Sequence, residues 1–199
     1  MRERLLDLLV QHAYRYDSAK PFQLASGAFS EEYINCKEAL GLPQALHALA
    51  TVIHPEILTT VDAVGGLTMG ADPIAIGVSQ YSSQTNRPFR WFTVRKQAKE
   101  HGLRREIEGG VEVGTTVAIV DDVVTTGGST IDAIRKCRAA KLVIKQVIVL
   151  VDRQQGGLQM IKDEVGPGIP VKAIFTKDEI HARWEVLGSA AGGATSRRS

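Results

Sequence analysis

Two adjacent carboxylates followed by a loop of small residues are the most informative chemical feature of this sequence. Asp121 and Asp122 follow the apolar run 117–120 and precede the segment 123–130, which contains threonine, glycine and serine residues. Such a loop at the start of a helix binds phosphate through its backbone N–H groups and the positive end of the helix dipole. Carboxylates beside a phosphate repel it, so the acid pair predicts a ligand that also carries hydroxyl groups, such as a ribose 5-phosphate.

Two other interpretations of this segment stay open at this point, namely an ordinary strand–turn–helix corner and a generic nucleotide-binding fold. The segment has neither the Gly-Lys-Ser/Thr ending of a Walker A loop nor the G-x-G-x-x-G spacing of a dinucleotide-binding loop. A phosphate-binding loop next to an acid pair is therefore the more specific prediction.

Two further loops begin where an apolar run ends, at residues 65–70 and 152–157. Open parallel sheets bind ligands at the carboxyl ends of their strands, so these loops and the loop after residue 120 are expected to form one site. The loop 65–70 can offer backbone amides to a second anion, although a glycine-rich turn without a ligand explains it equally well.

A cluster of basic residues lies in an otherwise nearly neutral chain. The net charge is +2, yet the basic residues between positions 95 and 105 are opposed only by Glu100. These basic residues are Arg95, Lys96, Lys99, Arg104 and Arg105. A local cluster of this kind favours a small polyanion over a nucleic acid, and a solvated surface helix is the alternative.

Apolar runs that alternate with amphipathic segments predict an α/β fold with a parallel sheet. Helices are predicted at the N-terminus before Pro21, over 43–53, from Pro73 and from Ile131. Strands are predicted at 62–66, 89–94, 117–120, 147–151 and 171–175, with short extended segments over 22–37. The polar, glycine-bearing segment 97–114 is predicted to be a mobile loop.

The composition restricts the class of protein. A chain of 199 residues with 44% hydrophobic and 23% charged residues is typical of one soluble globular domain. No apolar run approaches the roughly 18 residues of a transmembrane helix, and the first helix carries Glu3 and Asp7, unlike a signal peptide. Cys36 and Cys137 have no metal-ligand spacing, which predicts reduced thiols and a cytoplasmic protein.

Residues 117–130 resemble the motif with which phosphoribosyltransferases bind 5-phosphoribosyl 1-diphosphate (PRPP): a hydrophobic strand, two acids, two aliphatic residues and a Thr/Gly/Ser loop. Three further blocks, at 24–35, 95–102 (RKQAKEHG) and 151–157 (VDRQQGG), are similar to segments of the orotate phosphoribosyltransferase family. Four blocks in the same order over residues 22–180 make the resemblance specific.

The resemblance implies a type I phosphoribosyltransferase fold. This is an α/β fold with a central, mostly parallel sheet flanked by helices, and with a small hood from the N-terminal segment and the C-terminal region. It implies a single domain over residues 1–187, with hood elements in 1–58 and the PRPP-binding core in 59–155. The Gly-, Ala- and Ser-rich tail at 188–199 is predicted to be disordered.

The resemblance also implies roles for individual residues. Asp121 and Asp122 would contact the ribose hydroxyls. The 5-phosphate would be bound by Val123, Val124, Thr125, Thr126, Gly127, Gly128 and Ser129. The pyrophosphate would be bound by Thr68, Met69, Arg95, Lys96, Lys99 and His101. The residues expected to act most directly in catalysis are Lys99, His101, Asp121 and Asp122.

The same resemblance implies which residues bind the base and which residues come from a second subunit. The expected orotate-binding residues are Tyr33, Ile34, Thr125 and Arg153, the last of these pairing with the orotate carboxylate. The residues expected to come from the neighbouring subunit of a homodimer, closing as a lid, are Arg95, Lys99 and His101. A non-proline cis peptide is expected at Leu67–Thr68.

The implied reaction converts orotate and PRPP to orotidine 5′-monophosphate and pyrophosphate in de novo pyrimidine (UMP) biosynthesis, with Mg²⁺ held mainly by PRPP. Some members of the family carry lysine where this sequence has Ala25 and Met69, so the segment 95–101 would carry more of the positive charge. Two alternatives stay open: a phosphoribosyltransferase for another base, and a PRPP-binding regulator without turnover. No nucleic acid or membrane partner is predicted.

Overall fold

The structure, a computed structural model, describes residues 1–23, 29–97 and 106–195, with side chains described up to residue 188. The helices are α1 (Arg2–His12), α2 (Cys36–Leu40), α3 (Pro43–Ile53), α4 (Asp72–Ser82), α5 (Gly128–Ala139), α6 (Gly157–Val165) and α7 (Lys177–Thr195). The strands are β1 (Tyr14–Tyr16), β2 (Phe22–Gln23), β3 (Phe29–Ser30), β4 (Glu32–Ile34), β5 (Ala63–Leu67), β6 (Arg90–Val94), β7 (Ile107–Gly109), β8 (Thr116–Val124), β9 (Val143–Asp152) and β10 (Val171–Thr176).

Six strands form one open sheet in the order β10–β9–β8–β5–β6–β7. Neighbouring strands run parallel, except that β6 and β7 pair antiparallel. The central, mostly parallel sheet with flanking helices confirms the predicted α/β fold. Because β5, β8 and β9 are neighbours and parallel, the loops that follow them meet at one edge of the sheet.

The side chains of β8 alternate between two apolar cores, because successive residues of a strand point to opposite faces. Ala118 and Val120 belong to the core that contains residues of α1, α3 and α4, whereas Val117 and Ile119 belong to the core that contains residues of α5 and α6. All four residues are at most 1% exposed. A strand buried on both faces explains why the sequence is continuously apolar here.

The N-terminal elements join the C-terminal helix in a small additional layer, which corresponds to the predicted hood. Strands β1 and β4 pair antiparallel. Helix α7 is tied to α1 by an ion pair from Arg183 Nε to Asp7 Oδ1, 2.6 Å long. The hydroxyl of Tyr14 lies 2.6 Å from Nδ1 of His181, so β1 also contacts α7 directly.

The strands differ from the prediction mainly in three places. Strand β9 begins at Val143, four residues before its predicted start. Strand β8 continues to Val124, so Asp121 and Asp122 lie within the strand rather than after it, with Asp121 opposite Val149 of β9. The predicted mobile loop 97–114 contains β7, which is held by antiparallel pairing with β6. Its residues 98–105 lie outside the described residues.

The C-terminal segment also differs. A disordered tail was predicted to begin at residue 188, whereas the backbone of α7 is helical to Thr195. The segment 188–195 contains three glycines beside its three alanines, and glycine costs about 1 kcal/mol relative to alanine in a helix, so local propensity does not account for the helical backbone. Residues 196–199 lie outside the described part of the chain.

Two further observations concern the apolar character of the helices and the state of the two cysteines. Among the described helices, none combines the length and apolar character needed to cross a bilayer. Cys36 and Cys137 are both buried as free thiols, and burial raises the pKa of Cys137 to about 12.

Candidate active site

The acid pair lies at the carboxyl end of β8, and both side chains are nearly buried. Asp121 is 4% exposed and Asp122 is 7% exposed. Asp121 Oδ2 accepts a 2.6 Å hydrogen bond from the hydroxyl of Thr130 in the first turn of α5. Asp121 Oδ1 accepts from the backbone N–H of Asp122, and Asp122 Oδ1 accepts from that of Val123. Each carboxylate is therefore held in one orientation.

The loop between β8 and α5 encloses a small polar cavity of about 180 Å³. Its lining includes the acid Asp121 and every residue from Val123 to Thr130. Gly127 caps the N-terminus of α5 in the left-handed region, with φ of 84°, which turns the chain sharply into the helix. Backbone N–H groups and the helix dipole thus point into a space that fits one phosphate group. The predicted phosphate-binding residues are together in this one cavity.

The loop after β5 touches the acid pair. A Cβ atom added to Gly70 would lie 2.4 Å from Asp122 Oδ1 and 3.2 Å from Asp121 Oδ1, so only glycine permits this approach. The structure therefore brings the expected pyrophosphate loop against the expected ribose-binding acids. The cis peptide lies at Thr68–Met69, so the predicted position at Leu67–Thr68 is wrong by one residue.

Asp72, which belongs to none of the sequence motifs, holds this loop in place. Its two carboxylate oxygens accept 2.6 Å hydrogen bonds from the hydroxyls of Thr68 and Thr93. The bond to Thr68 fixes the loop to the first turn of α4, and the bond to Thr93 fixes that turn of α4 to β6. The one available signal was an acid in the first turn of a helix, which ordinary helix capping explains equally well.

Arg153 follows β9 and is 5% exposed. Its backbone N–H donates to the carbonyl of Val124, so it lies beside the phosphate loop. One terminal guanidinium nitrogen lies 3.2 Å from Ser30 Oγ and 3.3 Å from the carbonyl oxygen of Glu32. Its Nε is buried and has no hydrogen-bond partner among the described residues. A buried cation with unused donor capacity is suited to bind a carboxylate.

The two residues expected against the pyrimidine ring have different surroundings. The Tyr33 ring lies 5.7 Å from the ring of Phe22 and is partly exposed. Ile34 is 8% exposed and belongs to the apolar core. Because consecutive residues of a strand point to opposite faces, the side chain of Tyr33 is directed away from that core.

The basic segment begins where β6 ends. The Arg95 N–H donates to the carbonyl of Glu106, which brings together the two ends of the intervening segment. The ammonium group of Lys136 donates to the carbonyls of Arg95 and Lys96 at 2.9 and 2.8 Å. The predicted catalytic residues Lys99 and His101 lie outside the described residues.

Lys37 is a residue of the site that no sequence pattern indicates. Its Nζ lies 3.0 Å from Asp122 Oδ2. A lysine in a short helix is usually solvated, and nothing in its spacing relates it to an acid 85 residues away.

A larger cavity, of about 670 Å³, lies between β7 and the end of α5. Its lining includes three carboxylates, Glu106, Glu108 and Glu112, and one cation, Lys136. The larger cavity lies at the C-terminal, negative end of the α5 dipole, whereas the smaller cavity lies at its N-terminus, so the smaller cavity is the candidate active site for a phosphate-bearing ligand.

The burial of Asp121 has a consequence for stability. Burial raises the pKa of Asp121 from 3.8 to about 6, the Thr130 hydrogen bond lowers it, and the Asp122 charge raises it. With a folded-state pKa above the unfolded value, this group stabilises the fold at low pH, and the contribution is lost as the pH rises through about 6. A shift of this size corresponds to roughly 3 kcal/mol.

We therefore expect Asp121→Asn, which cannot ionise, to become more stable relative to the unaltered protein as the pH rises from about 4.5 to about 7.5. Urea denaturation at several pH values without ligand measures this difference. Asparagine also lacks one of the two carboxylate acceptors of Asp121, which changes the free energy of unfolding by an amount that does not depend on pH. The pH dependence of the difference in stability therefore reports the titration of Asp121. A difference that does not vary with pH would contradict the raised pKa.

Gly157, at the start of α6, joins the phosphate loop to the loop that carries Arg153. An added Cβ would lie 2.4 Å from the carbonyl oxygen of Thr125 and 2.9 Å from the backbone nitrogen of Gly127. Because backbone atoms cannot move aside cheaply, we expect Gly157→Ala to destabilise the protein by about 1–3 kcal/mol and to weaken phosphate binding.

Thermal denaturation and the apparent Kd for inorganic phosphate measure these two effects. Gly188→Ala is the matched control, since a Cβ there meets nothing within 4 Å. An alanine at position 157 that changes neither quantity would show that the two loops are not packed as described.

The open parallel sheet, with an acid pair and a phosphate loop at the end of its central strand, defines the class of the phosphoribosyltransferases. No family model matches the chain. An orotate phosphoribosyltransferase from Nostoc sp. is 40% identical over 190 residues, which are 95% of this chain and 89% of that protein. The chain belongs to the orotate phosphoribosyltransferase family.

Solved structures agree with this assignment. The orotate phosphoribosyltransferase of Mycobacterium tuberculosis in complex with Fe(III) dicitrate matches with a TM-score of 0.76 and 28% identity, covering 90% of this chain and 98% of that one. The same enzyme in complex with PRPP matches with a TM-score of 0.69 and 25% identity, over 90% of each chain. The architecture of this chain is therefore that of solved members of the family.

Proposed function

We propose that this protein is an orotate phosphoribosyltransferase, which converts orotate and PRPP to orotidine 5′-monophosphate and pyrophosphate in pyrimidine biosynthesis. Arg153 is the observation that carries the choice of base. Orotate has a carboxylate, whereas uracil, adenine, guanine and xanthine have none. A buried guanidinium with an unpartnered Nε, beside the phosphate loop, favours the base that brings a negative charge.

The geometry supports a division of roles around the ribose. The loop 125–129 would bind the 5-phosphate, and Asp121 and Asp122 would accept hydrogen bonds from the 2- and 3-hydroxyls. The pyrophosphate would lie at the loop that contains Thr68 and Met69, since Gly70 of that loop contacts the acids. PRPP would then span two loops of one sheet edge.

The chemical step needs electrostatic help more than a nucleophilic residue. The bond from C1 to the pyrophosphate oxygen breaks with its electron pair on the pyrophosphate. A ring nitrogen of orotate forms the new bond to C1, and the proton that it loses ends on the pyrophosphate. Carboxylates near the ribose stabilise positive charge on it, and Arg95, Lys96, Lys99 and His101 would stabilise the leaving pyrophosphate. Lys99 would act most directly on the departing pyrophosphate, and His101 would assist the protonation of that group.

We propose Mg²⁺ as the cofactor, bound mainly by oxygens of PRPP. Each carboxylate oxygen of Asp121 and Asp122 accepts one hydrogen bond from this chain, and its remaining lone pair is the one proposed for a ribose hydroxyl, which leaves the substrate as the main source of ligands. When bound, the ion supplies positive charge to the pyrophosphate.

We further propose a cytoplasmic homodimer with shared active sites. Arg95, Lys99 and His101 would act in the site of the neighbouring subunit, closing over it as a lid and excluding water from PRPP. The two buried free thiols favour a reducing compartment.

The test is turnover with PRPP, Mg²⁺ and one of five bases: orotate, uracil, adenine, guanine or xanthine. Uracil is the matched comparison, because it is orotate without the carboxylate. Nucleotide formed from orotate alone supports the proposal. Nucleotide from another base would contradict the role of Arg153, and PRPP binding without any turnover would favour a regulator.

A further inference from the structure

The acid pair poses an electrostatic problem that the proposed function leaves open. Asp121 and Asp122 are adjacent, nearly buried carboxylates, and PRPP brings further negative charge to the same place. Like charges in a poorly solvated site repel strongly, so the site needs a nearby cation before the substrate arrives. Across the described ranges, Lys37 is the cation that forms an ion pair with either carboxylate.

The ion pair between Lys37 and Asp122 lies where it can affect the binding of PRPP. The ammonium group lies 3.0 Å from Oδ2, while the other oxygen, Oδ1, accepts from Val123 and faces Gly70 of the pyrophosphate loop. Lys37 therefore fixes the carboxylate from the side opposite to the loop. The Asp122 side chain is only 10% exposed and that of Lys37 is 47% exposed, so solvent reaches this pair from the lysine side alone.

We propose that Lys37 is a positioning residue for PRPP: it holds the Asp122 carboxylate towards the ribose and offsets the charge of the acid pair. This inference rests on the proposed function for its substrate. Lys37 acts through Asp122, so its effect is expected on PRPP and not on orotate.

The charged groups around Asp121 make the pH dependence of kcat/KM a second test of the role of Lys37. They are Asp122 on the same strand, together with Lys37 and the Cys36 thiol on α2, while α5 contributes only the hydroxyl of Thr130. The positive charge of Lys37 lowers the pKa of Asp121. Removing it should therefore move the acidic limb of kcat/KM for PRPP to higher pH.

The experiment compares the unaltered protein with Lys37→Met and Lys37→Arg. We expect Lys37→Met to lower kcat/KM for PRPP about tenfold to a hundredfold, with a KM for orotate within a factor of about two. Lys37→Arg, which keeps the positive charge, should recover most of the loss. Lys172→Met is the matched control, since Lys172 has the same 47% exposure and pairs with Glu56 away from the site.

Thermal denaturation of each variant separates a folding defect from a binding defect. Titration calorimetry with PRPP and Mg²⁺ gives the Kd independently of turnover. If the unaltered protein binds PRPP but does not use orotate, the proposed function fails while the Kd comparison still decides the role of Lys37. An unchanged Kd and an unchanged pH profile in a folded Lys37→Met would overturn the inference.

Discussion

Replacing Arg153 with alanine should lower kcat/KM for orotate by about two to three and a half orders of magnitude, while the Kd for PRPP changes little. Arg153 is 5% exposed, and loss of its guanidinium would leave the orotate carboxylate without a charged partner in a poorly solvated site. Removing one member of a buried charge pair costs about 3–5 kcal/mol, which corresponds to this range.

Steady-state kinetics with orotate varied at saturating PRPP measures the effect. Arg153→Lys should recover only part of the activity, because an ammonium group cannot form the two parallel hydrogen bonds of a guanidinium. Arg183→Ala is the control, since that arginine pairs with Asp7 on the hood. Orotate kinetics that are unchanged in a folded Arg153→Ala protein would rule out this residue as the carboxylate partner.

The sequence was sufficient for the fold because the central strands of the sheet are buried on both faces. Strands β5, β8 and β9 read as apolar runs for that reason, and helix α3 was predicted with its observed bounds of Pro43–Ile53. Strand β7 was missed because residues of an edge strand need not be apolar. Its sequence, Ile-Glu-Gly, is short and polar, and its strand conformation depends on pairing with β6.

The site was predictable where one segment contains all of its parts. The acid pair and the phosphate loop are contiguous, so their chemistry can be read from residues 121–130 alone. Lys37 and Asp72 were missed because their roles depend on distant partners. Lys37 reaches an acid 85 positions away, and Asp72 links Thr68 to Thr93. Such pairings follow from the topology of the sheet and leave no local pattern.

Asp122→Asn and Lys99→Ala should each be nearly inactive as pure proteins, yet a mixture of the two should recover activity. The proposed dimer takes Asp122 from one subunit and Lys99 from the other at each site. A mixed dimer then contains one site with both defects and one site with neither. Random reassociation makes half of the dimers mixed, so about a quarter of the unaltered activity should return.

The two proteins are mixed in equal amounts, dissociated in denaturant and reassociated by dilution, and orotidine 5′-monophosphate formation is measured. Unaltered protein carried through the same treatment gives the reference activity. The matched control mixes Asp122→Asn with Arg153→Ala. Arg153 and Asp122 belong to the same subunit's site, so every site in that mixture keeps one defect and no activity should return. Equal activity in the two mixtures would mean that Lys99 acts within its own subunit, whereas recovery confined to the first mixture requires a site that both subunits complete.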